Sequence, residues 1–263
     1  MHIQNLLIKQ LPWPPTGQQS QAIALLEEFL MTFRNDTCFL LKGYAGTGKT
    51  TLISALVNIL PALRKRSVLL APTGRAAKVM RYYSGKKAFT IHKKIYRKKT
   101  AATLDLDFIL AENRHEDTLF IIDEASMIAD EGVHFFSRSL LDDLISYVRS
   151  GKNCCLMFVG DTAQLPPVGM LESPALDADY LSSNYDLRTY TYELREVVRQ
   201  QYDSGILFNA TQVRNDIRIE ESESPLTFPR FQTSGFKDIF RMNGDRLIEG
   251  LHYSYDKYSI ENS

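Results

Sequence analysis

Gly43-Tyr44-Ala45-Gly46-Thr47-Gly48-Lys49-Thr50 has the composition and spacing of a loop that wraps nucleotide phosphates. Its glycines allow sharp turns and a close approach of backbone to phosphate oxygens. A helix that follows directs its N-terminal amides and positive dipole end at the same anion. Lys49 is expected to contact the β- and γ-phosphates, and Thr50 to ligate Mg²⁺. Ala45, Thr47 and Thr51 belong to the same cradle. An apolar run, Cys38 to Lys42, precedes the loop and a helical pattern follows it, which is the context such a loop requires.

Two later segments supply partners. Leu119-Phe120-Ile121-Ile122-Asp123-Glu124 reads as a buried strand ending in two acids. Ligands of open α/β sheets bind at the carboxyl ends of strands. Asp123 is therefore expected to hold the Mg²⁺ water shell, and Glu124 to accept a proton from the attacking water. Gly160-Asp161-Thr162-Ala163-Gln164-Leu165-Pro166-Pro167-Val168-Gly169 follows another apolar strand. Gln164 there is placed to sense the γ-phosphate or the attacking water and to relay that contact to the proline-stiffened loop. Earlier, Gln19 offers an amide that can read an adenine edge, while Thr16 is a natural helix cap beside it.

The elements that hold these residues alternate. Helices are expected over 19–34, 49–60, 73–83 and 132–148, with Pro61 ending the second. Strands are expected over 38–42, 67–71, 119–123, 154–159 and 188–194. Alternation of this kind makes an α/β fold, a parallel sheet flanked by helices with right-handed crossovers. Lys93 to Asp117 breaks the rhythm and reads as an insertion at the sheet edge. After Gln201 the pattern weakens: 216–225 is acidic and loop-like, and 236–253 is helical again. A motor-sized domain over 1–201 and a helical or loop connector over 202–263 follow from this.

Bulk composition narrows the class. With 263 residues, 44% of them hydrophobic, and no net charge, the chain can build a core but has no global basic field. Charge is local instead. Lys86, Lys87, Lys93, Lys94, Arg97, Lys98 and Lys99 form a basic stretch without an acid, interleaved with Phe89, His92 and Tyr96. Arg75, Lys78, Arg81, Tyr82 and Tyr83 lie just before it. Cations alternating with stacking platforms suit a single-stranded nucleic acid, although a charge run alone is more often a solvated loop. Cys38, Cys154 and Cys155 sit in apolar runs, without metal or redox spacing, and are read as reduced core residues of a cytoplasmic protein. No apolar run nears the roughly 18 residues of a membrane span, and no secretory signal is expected.

Taken together, these segments resemble the first motor domain of superfamily 1 DNA helicases, of the RecD (exodeoxyribonuclease V alpha subunit) and PIF-like types. Gly43 to Thr50 matches motif I. Ala71-Pro72-Thr73-Gly74-Arg75-Ala76-Ala77 matches motif Ia, and Thr90-Ile91-His92 resembles the next DNA-contacting motif. Asp123 to Met127 matches motif II, and Gly160 to Gly169 motif III. Leu194 to Gln200 resembles motif IV, whose arginine would be Arg199. The resemblance implies a RecA-like P-loop NTPase domain with a small inserted hairpin over 93–117 that splits the duplex. It implies ATP and Mg²⁺ as cofactors, with Lys49, Glu124, Gln164 and Arg199 as the catalytic set. Single-stranded DNA would meet Pro72, Thr73, Arg75, Thr90 and His92, and translocation would run 5′ to 3′. A monomer working in repair or recombination, beside protein subunits, is the expected setting.

The family also uses a second RecA-like domain, and nothing after Gln201 supplies its motifs. The chain is therefore expected to be an N-terminal part of such a motor, weak in hydrolysis by itself. One rival is a P-loop ATPase switch acting on protein partners. Another is a non-catalytic nucleic-acid module, which the intact Lys49, Thr50, Asp123 and Glu124 disfavour.

Overall fold

Strands buried on both faces need apolar residues at every position, whereas strands with one wet face alternate. The central strands here are of the first kind. The computed structural model describes residues 2–98, 108–130, 139–170, 172–196, 204–219 and 229–259. In chain order the first unit contains α1 (Ile3–Gln10), α2 (Gly17–Met31), β1 (Thr37–Gly43), α3 (Lys49–Ile59), β2 (Arg66–Ala71) and α4 (Gly74–Ser84). It continues with β3 (Ala88–Thr90), α5 (Ile91–Ile95), β4 (Tyr96–Lys98), β5 (Phe108–Leu110) and β6 (Glu116–Ile122). Then come α6 (Leu140–Arg149), β7 (Lys152–Gly160), α7 (Ala178–Tyr185) and β8 (Arg188–Leu194).

Six strands form one sheet in the order β3-β2-β6-β7-β1-β8. Every pairing in it is parallel. Successive side chains separate into two cores. Phe39, Leu41, Leu119, Ile121, Cys155 and Met157 join one, with Phe29 of α2 and Leu56 of α3. Cys38, Leu40, Phe120, Ile122, Leu156 and Phe158 join the other, with Leu144 and Val148 of α6. Each such side chain contributes roughly 1.5–3 kcal/mol on burial. The expected α/β parallel sheet is thus the fold.

Several boundaries differ from expectation. Helix α1 falls where no helix is expected, because its four apolar residues, Ile3, Leu6, Leu7 and Ile8, span too few turns to show a period. Glu27 anchors it from α2, accepting from the Ile3 amide at 2.8 Å and the Gln4 side chain at 2.7 Å, while Leu7 is buried. Strand β3 is a sixth strand too short for a periodic signal, fixed by its register with β2. Pro61 lies inside a 3-10 turn, Leu60–Leu63, that extends α3. Helix α6 begins at Leu140, capped by Ser139, whose hydroxyl accepts from the Asp142 amide at 3.0 Å. Residues 132–138 of the expected helix lie outside the described residues.

The expected insertion over 93–117 is smaller than its bounds. Lys93 to Ile95 belong to α5, and Glu116 and Asp117 open β6. Between them β4 and β5 pair antiparallel, Tyr96 with Leu110 and Lys98 with Phe108, as a separate two-stranded sheet. Residues 99–107 lie outside the described residues.

Residues Met1–Val198 form one compact unit and Arg199–Ser263 a second. The second contains α8 (Gly205–Ile219) and α9 (Leu247–Ser259). Helix α8 covers Asp216 to Ile219, so the start of the acidic stretch is helical rather than loop. The helix expected over 236–253 begins only at Leu247, after a 3-10 turn at Gly244–Arg246. Asn209 holds this unit together, exchanging 2.7 Å bonds with both backbone groups of Gln232.

Candidate functional site

A parallel sheet puts the carboxyl ends of all its strands on one edge, and here the chemistry-bearing residues follow those ends. The strand order fixes their sequence along the edge. His92 follows β3, and Pro72, Thr73 and Arg75 follow β2. Asp123 and Glu124 follow β6, Asp161 and Gln164 follow β7, and Gly43 to Thr50 follow β1. The phosphate loop and the acidic pair are therefore separated by one strand, β7, whose following turn bears Gln164. The expected nucleic-acid residues occupy the adjoining half of the edge. Arg199 lies outside the described residues.

The phosphate loop is built by different forces at its three glycines. Gly46 and Gly48 have φ of 80° and 93°, which only glycine adopts without strain. Gly43 needs no special φ. It is required by packing, since an added Cβ would lie 2.8 Å from the Leu194 carbonyl on β8. Thr47 is buried and its hydroxyl donates to the Tyr44 carbonyl at 2.8 Å, closing the loop from inside. Lys49 Nζ donates to the carbonyls of Gly43 and Tyr44, 2.9 Å for the latter, so the ammonium sits over the cradle. Helix α3 has Gly48 as its N-cap and no side-chain cap, which leaves its first amides for an anion.

Gln19, expected to read an adenine edge, is held beside the phosphate loop. It is buried, its Oε1 accepts from the Thr16 amide at 3.1 Å, and its Nε2 donates to the Thr47 carbonyl at 3.1 Å. Thr16 Oγ1 in turn accepts from the Gln19 amide, completing a capping box. The side chain is a strut between α2 and the phosphate loop, with both ends of its amide engaged.

The acidic pair is held with equal definition. Asp123 Oδ1 accepts from the Glu124 amide at 3.0 Å, and Oδ2 from the Tyr83 hydroxyl at 2.7 Å. Glu124 sits in the left-handed region at φ 55°, a strained conformation for a non-glycine residue and one that clusters at functional sites. Burial, then the Asp123 charge, pushes its carboxyl above the usual carboxylate range, while a Gln164 hydrogen bond and Lys49 pull it back. A carboxylate so placed takes a proton more readily than a free one. Gln164 Oε1 also accepts from Ser126 Oγ at 3.2 Å, so the loop after β7 is linked to the turn after β6. Thr50 is exposed on the first turn of α3. Its hydroxyl and the Asp123 carboxylate are hard oxygen donors, the set that suits Mg²⁺ bound jointly with phosphates.

A cleft of about 250 Å³ joins the two halves of the edge. Thr73, Arg75, Ala76 and Val79 of the β2–α4 segment line one wall, and Asp123, Glu124, Met127 and Gln164 line the other. Thr73 caps α4, accepting from the Ala76 amide at 3.2 Å, and Thr90 caps α5, accepting from the Lys93 amide at 3.2 Å. Arg75, Lys78, Arg81 and His92 are exposed, and His92 lies 5.7 Å from the Tyr96 ring.

Not every expected stacking platform faces outward. Tyr82 is 91% exposed, but Tyr83 turns inward to Asp123. The Tyr96 hydroxyl is committed to Asp143 at 2.7 Å. Helical geometry sends adjacent side chains in different directions, so two neighbouring tyrosines seldom share a face.

Three contributors carry no role in the sequence reading: Tyr83 as a partner of Asp123, Ser126 and Gln18. Gln18 Oε1 accepts from the Arg195 and Glu196 amides at 2.7 and 2.8 Å, tying α2 to the end of β8. Their only signal is polarity beside a motif, which does not specify a partner.

The ATP-dependent DNA helicase dda of Enterobacteria phage T4 is 31% identical over 181 residues, 66% of this chain and 37% of that protein. The ATP-dependent DNA helicase Pif1 of a Psychrobacter strain is 28% identical over 234 residues, 83% and 33%. A Bacteroides Pif1 helicase solved with ADP-AlF3 and ssDNA is 20% identical at a TM-score of 0.44, covering 73% of this chain and 46% of that one. The chain thus spans about a third of the length of the two sequence relatives. A family profile described as AAA domain matches residues 17–222 of the 263. The chain belongs to the AAA-domain family.

Proposed function

We propose that this chain is the ATP-hydrolysing motor domain of a DNA helicase, of the superfamily 1 RecD- and PIF-like kind, moving 5′ to 3′ on single-stranded DNA. The observation that carries this is the shared cleft. One wall is Arg75 and Thr73, residues suited to a phosphodiester backbone, and the other is Glu124 and Gln164, residues suited to a γ-phosphate and its water. A nucleotide site alone would fit any P-loop protein, whereas a nucleotide site sharing walls with a cationic helix fits a motor on nucleic acid.

The roles follow from placement. The amides at the start of α3 and the Lys49 ammonium receive the phosphates of ATP. Thr50 and Asp123 would hold Mg²⁺, which supplies charge neutralisation across the phosphate oxygens when bound. Glu124 takes the proton of the attacking water. Gln164, bonded to Glu124 and Ser126, reports the state of the γ-phosphate to the exposed loop bearing Leu165 and Val168. Arg75 and Lys78 contact DNA phosphates, and Tyr82 offers a stacking face. The β4–β5 pair is the proposed duplex-splitting element; Arg199, which lies outside the described residues, is suggested by the resemblance alone as a further source of positive charge for the transferred phosphoryl group. Work in DNA repair or recombination, with partner subunits, belongs to the same proposal.

The test is phosphate release from ATP with Mg²⁺, with and without an oligothymidylate. DNA-stimulated release supports the motor. Release that ignores DNA, but responds to a protein partner, would favour a protein-directed ATPase switch.

A further inference from the structure

Tyr83 stands in the last turn of α4, away from the phosphate loop in sequence, and no motif includes it. Three observations tie it to the site. Its hydroxyl donates to Asp123 Oδ2 at 2.7 Å. Its carbonyl accepts from Ser54 Oγ of α3 at 2.9 Å, so the helix that grows from the phosphate loop grips the same residue. Its ring packs against the core that holds Leu52, Leu56 and Ile121, which fixes the ring and the reach of the hydroxyl. The opposite oxygen of Asp123 accepts from the Glu124 amide at 3.0 Å. The carboxylate is thus clamped from both sides, with the remaining lone pairs of its two oxygens left for other partners.

We propose that Tyr83 is a positioning residue: its hydroxyl orients the Asp123 carboxylate for the metal ion that accompanies the nucleotide. Outer partners of a ligating carboxylate fix its orientation, and losing one costs roughly 10–100-fold in metal affinity or activity. A leucine or phenylalanine would fill the same core space and leave Asp123 with one partner, free to rotate about its side-chain torsions. The proposal rests on the nucleotide-binding assignment of the preceding subsection.

Tyr83→Phe removes the hydroxyl and leaves the ring. Fluorescent mant-ADP is titrated into wild type and variant, once with Mg²⁺ and once with EDTA, alongside thermal melts. The expected result is a loss of roughly tenfold in the Mg²⁺-dependent affinity, with the EDTA affinity and melting unchanged. An unchanged Mg²⁺ dependence overturns the proposal. An equal loss in both titrations also overturns it, because a merely structural role acts on both. Asp123→Ala and the double variant close a cycle that does not depend on folding of one variant. If Tyr83 acts through Asp123, Tyr83→Phe has no further effect in the Asp123→Ala background, and additive losses refute it. Should wild type bind mant-ADP in neither titration, the nucleotide assignment itself falls, whereas binding without any Mg²⁺ dependence overturns the Tyr83 proposal alone.

Discussion

Gly43→Ala is the most discriminating perturbation of the phosphate loop, because the reason for glycine there is not the usual one. Gly46 and Gly48 are required by positive φ, and Gly43 by space. A methyl group at Gly43 would meet the Leu194 carbonyl oxygen at 2.8 Å, Leu194 Cβ at 3.0 Å and Thr47 Oγ1 at 3.0 Å. The first belongs to the backbone of β8, and the second to a side chain held in the core, so neither yields cheaply. Thr47 is buried and bonded to Tyr44, so moving it opens the loop. Forcing a methyl group into packed surroundings costs roughly 1–3 kcal/mol. For a unit of this size each kcal/mol lowers Tm by roughly 2–4 °C, which puts the drop at roughly 2–12 °C. Because Lys49 donates to the Gly43 carbonyl, affinity for mant-ADP should fall with it. Gly17→Ala is the control. Nothing lies within 4 Å of a Cβ there, and the site starts α2, so the change should be neutral or stabilise by roughly 0.4–1 kcal/mol. Melts that place Gly43→Ala level with wild type, with unaltered mant-ADP binding, would refute the packing argument.

Two other outcomes are expected. Glu124→Gln should keep nucleotide binding and lower the rate of phosphate release by roughly 10²–10⁴-fold, the usual worth of a general base, checked by single-turnover release. A variant at wild-type rate would remove Glu124 from the chemistry. Thr16→Ala should remove the hydroxyl half of the capping box and leave the backbone amide bonded to Gln19 Oε1, costing roughly 1 kcal/mol in a denaturant melt.

Much of this architecture is legible in the amino-acid sequence. Apolar runs locate β1, β2, β6 and β7, since strands buried on both faces carry an unbroken signal, whereas β8, at the sheet edge, is marked by its β-branched and aromatic residues, with Tyr190 and Leu194 buried. The phosphate loop and the acidic pair are legible for a further reason: their chemistry demands particular residue types at fixed spacing. What is not legible depends on contacts between distant segments. Helix α1 exists through Glu27, and β3 through its register with β2. Gln19 has the same composition as an adenine reader, yet its orientation is decided by a carbonyl 28 residues away. Tyr82 and Tyr83 are identical in type, and only the pitch of α4 sends one to solvent and one to Asp123.

The central claim is that nucleotide and single-stranded DNA meet across one cleft. Its most direct test is the affinity for mant-ADP with Mg²⁺, measured with and without saturating oligothymidylate, in wild type and in Arg75→Ala. Coupling between two sites is reciprocal, so DNA bound at the Arg75 wall must alter nucleotide affinity if nucleotide alters DNA affinity. The account predicts a shift of roughly 5-fold or more in wild type, in the ordinary range of such couplings, and a reduced shift in Arg75→Ala. Identical affinities with and without DNA in wild type, at confirmed DNA saturation, would contradict it.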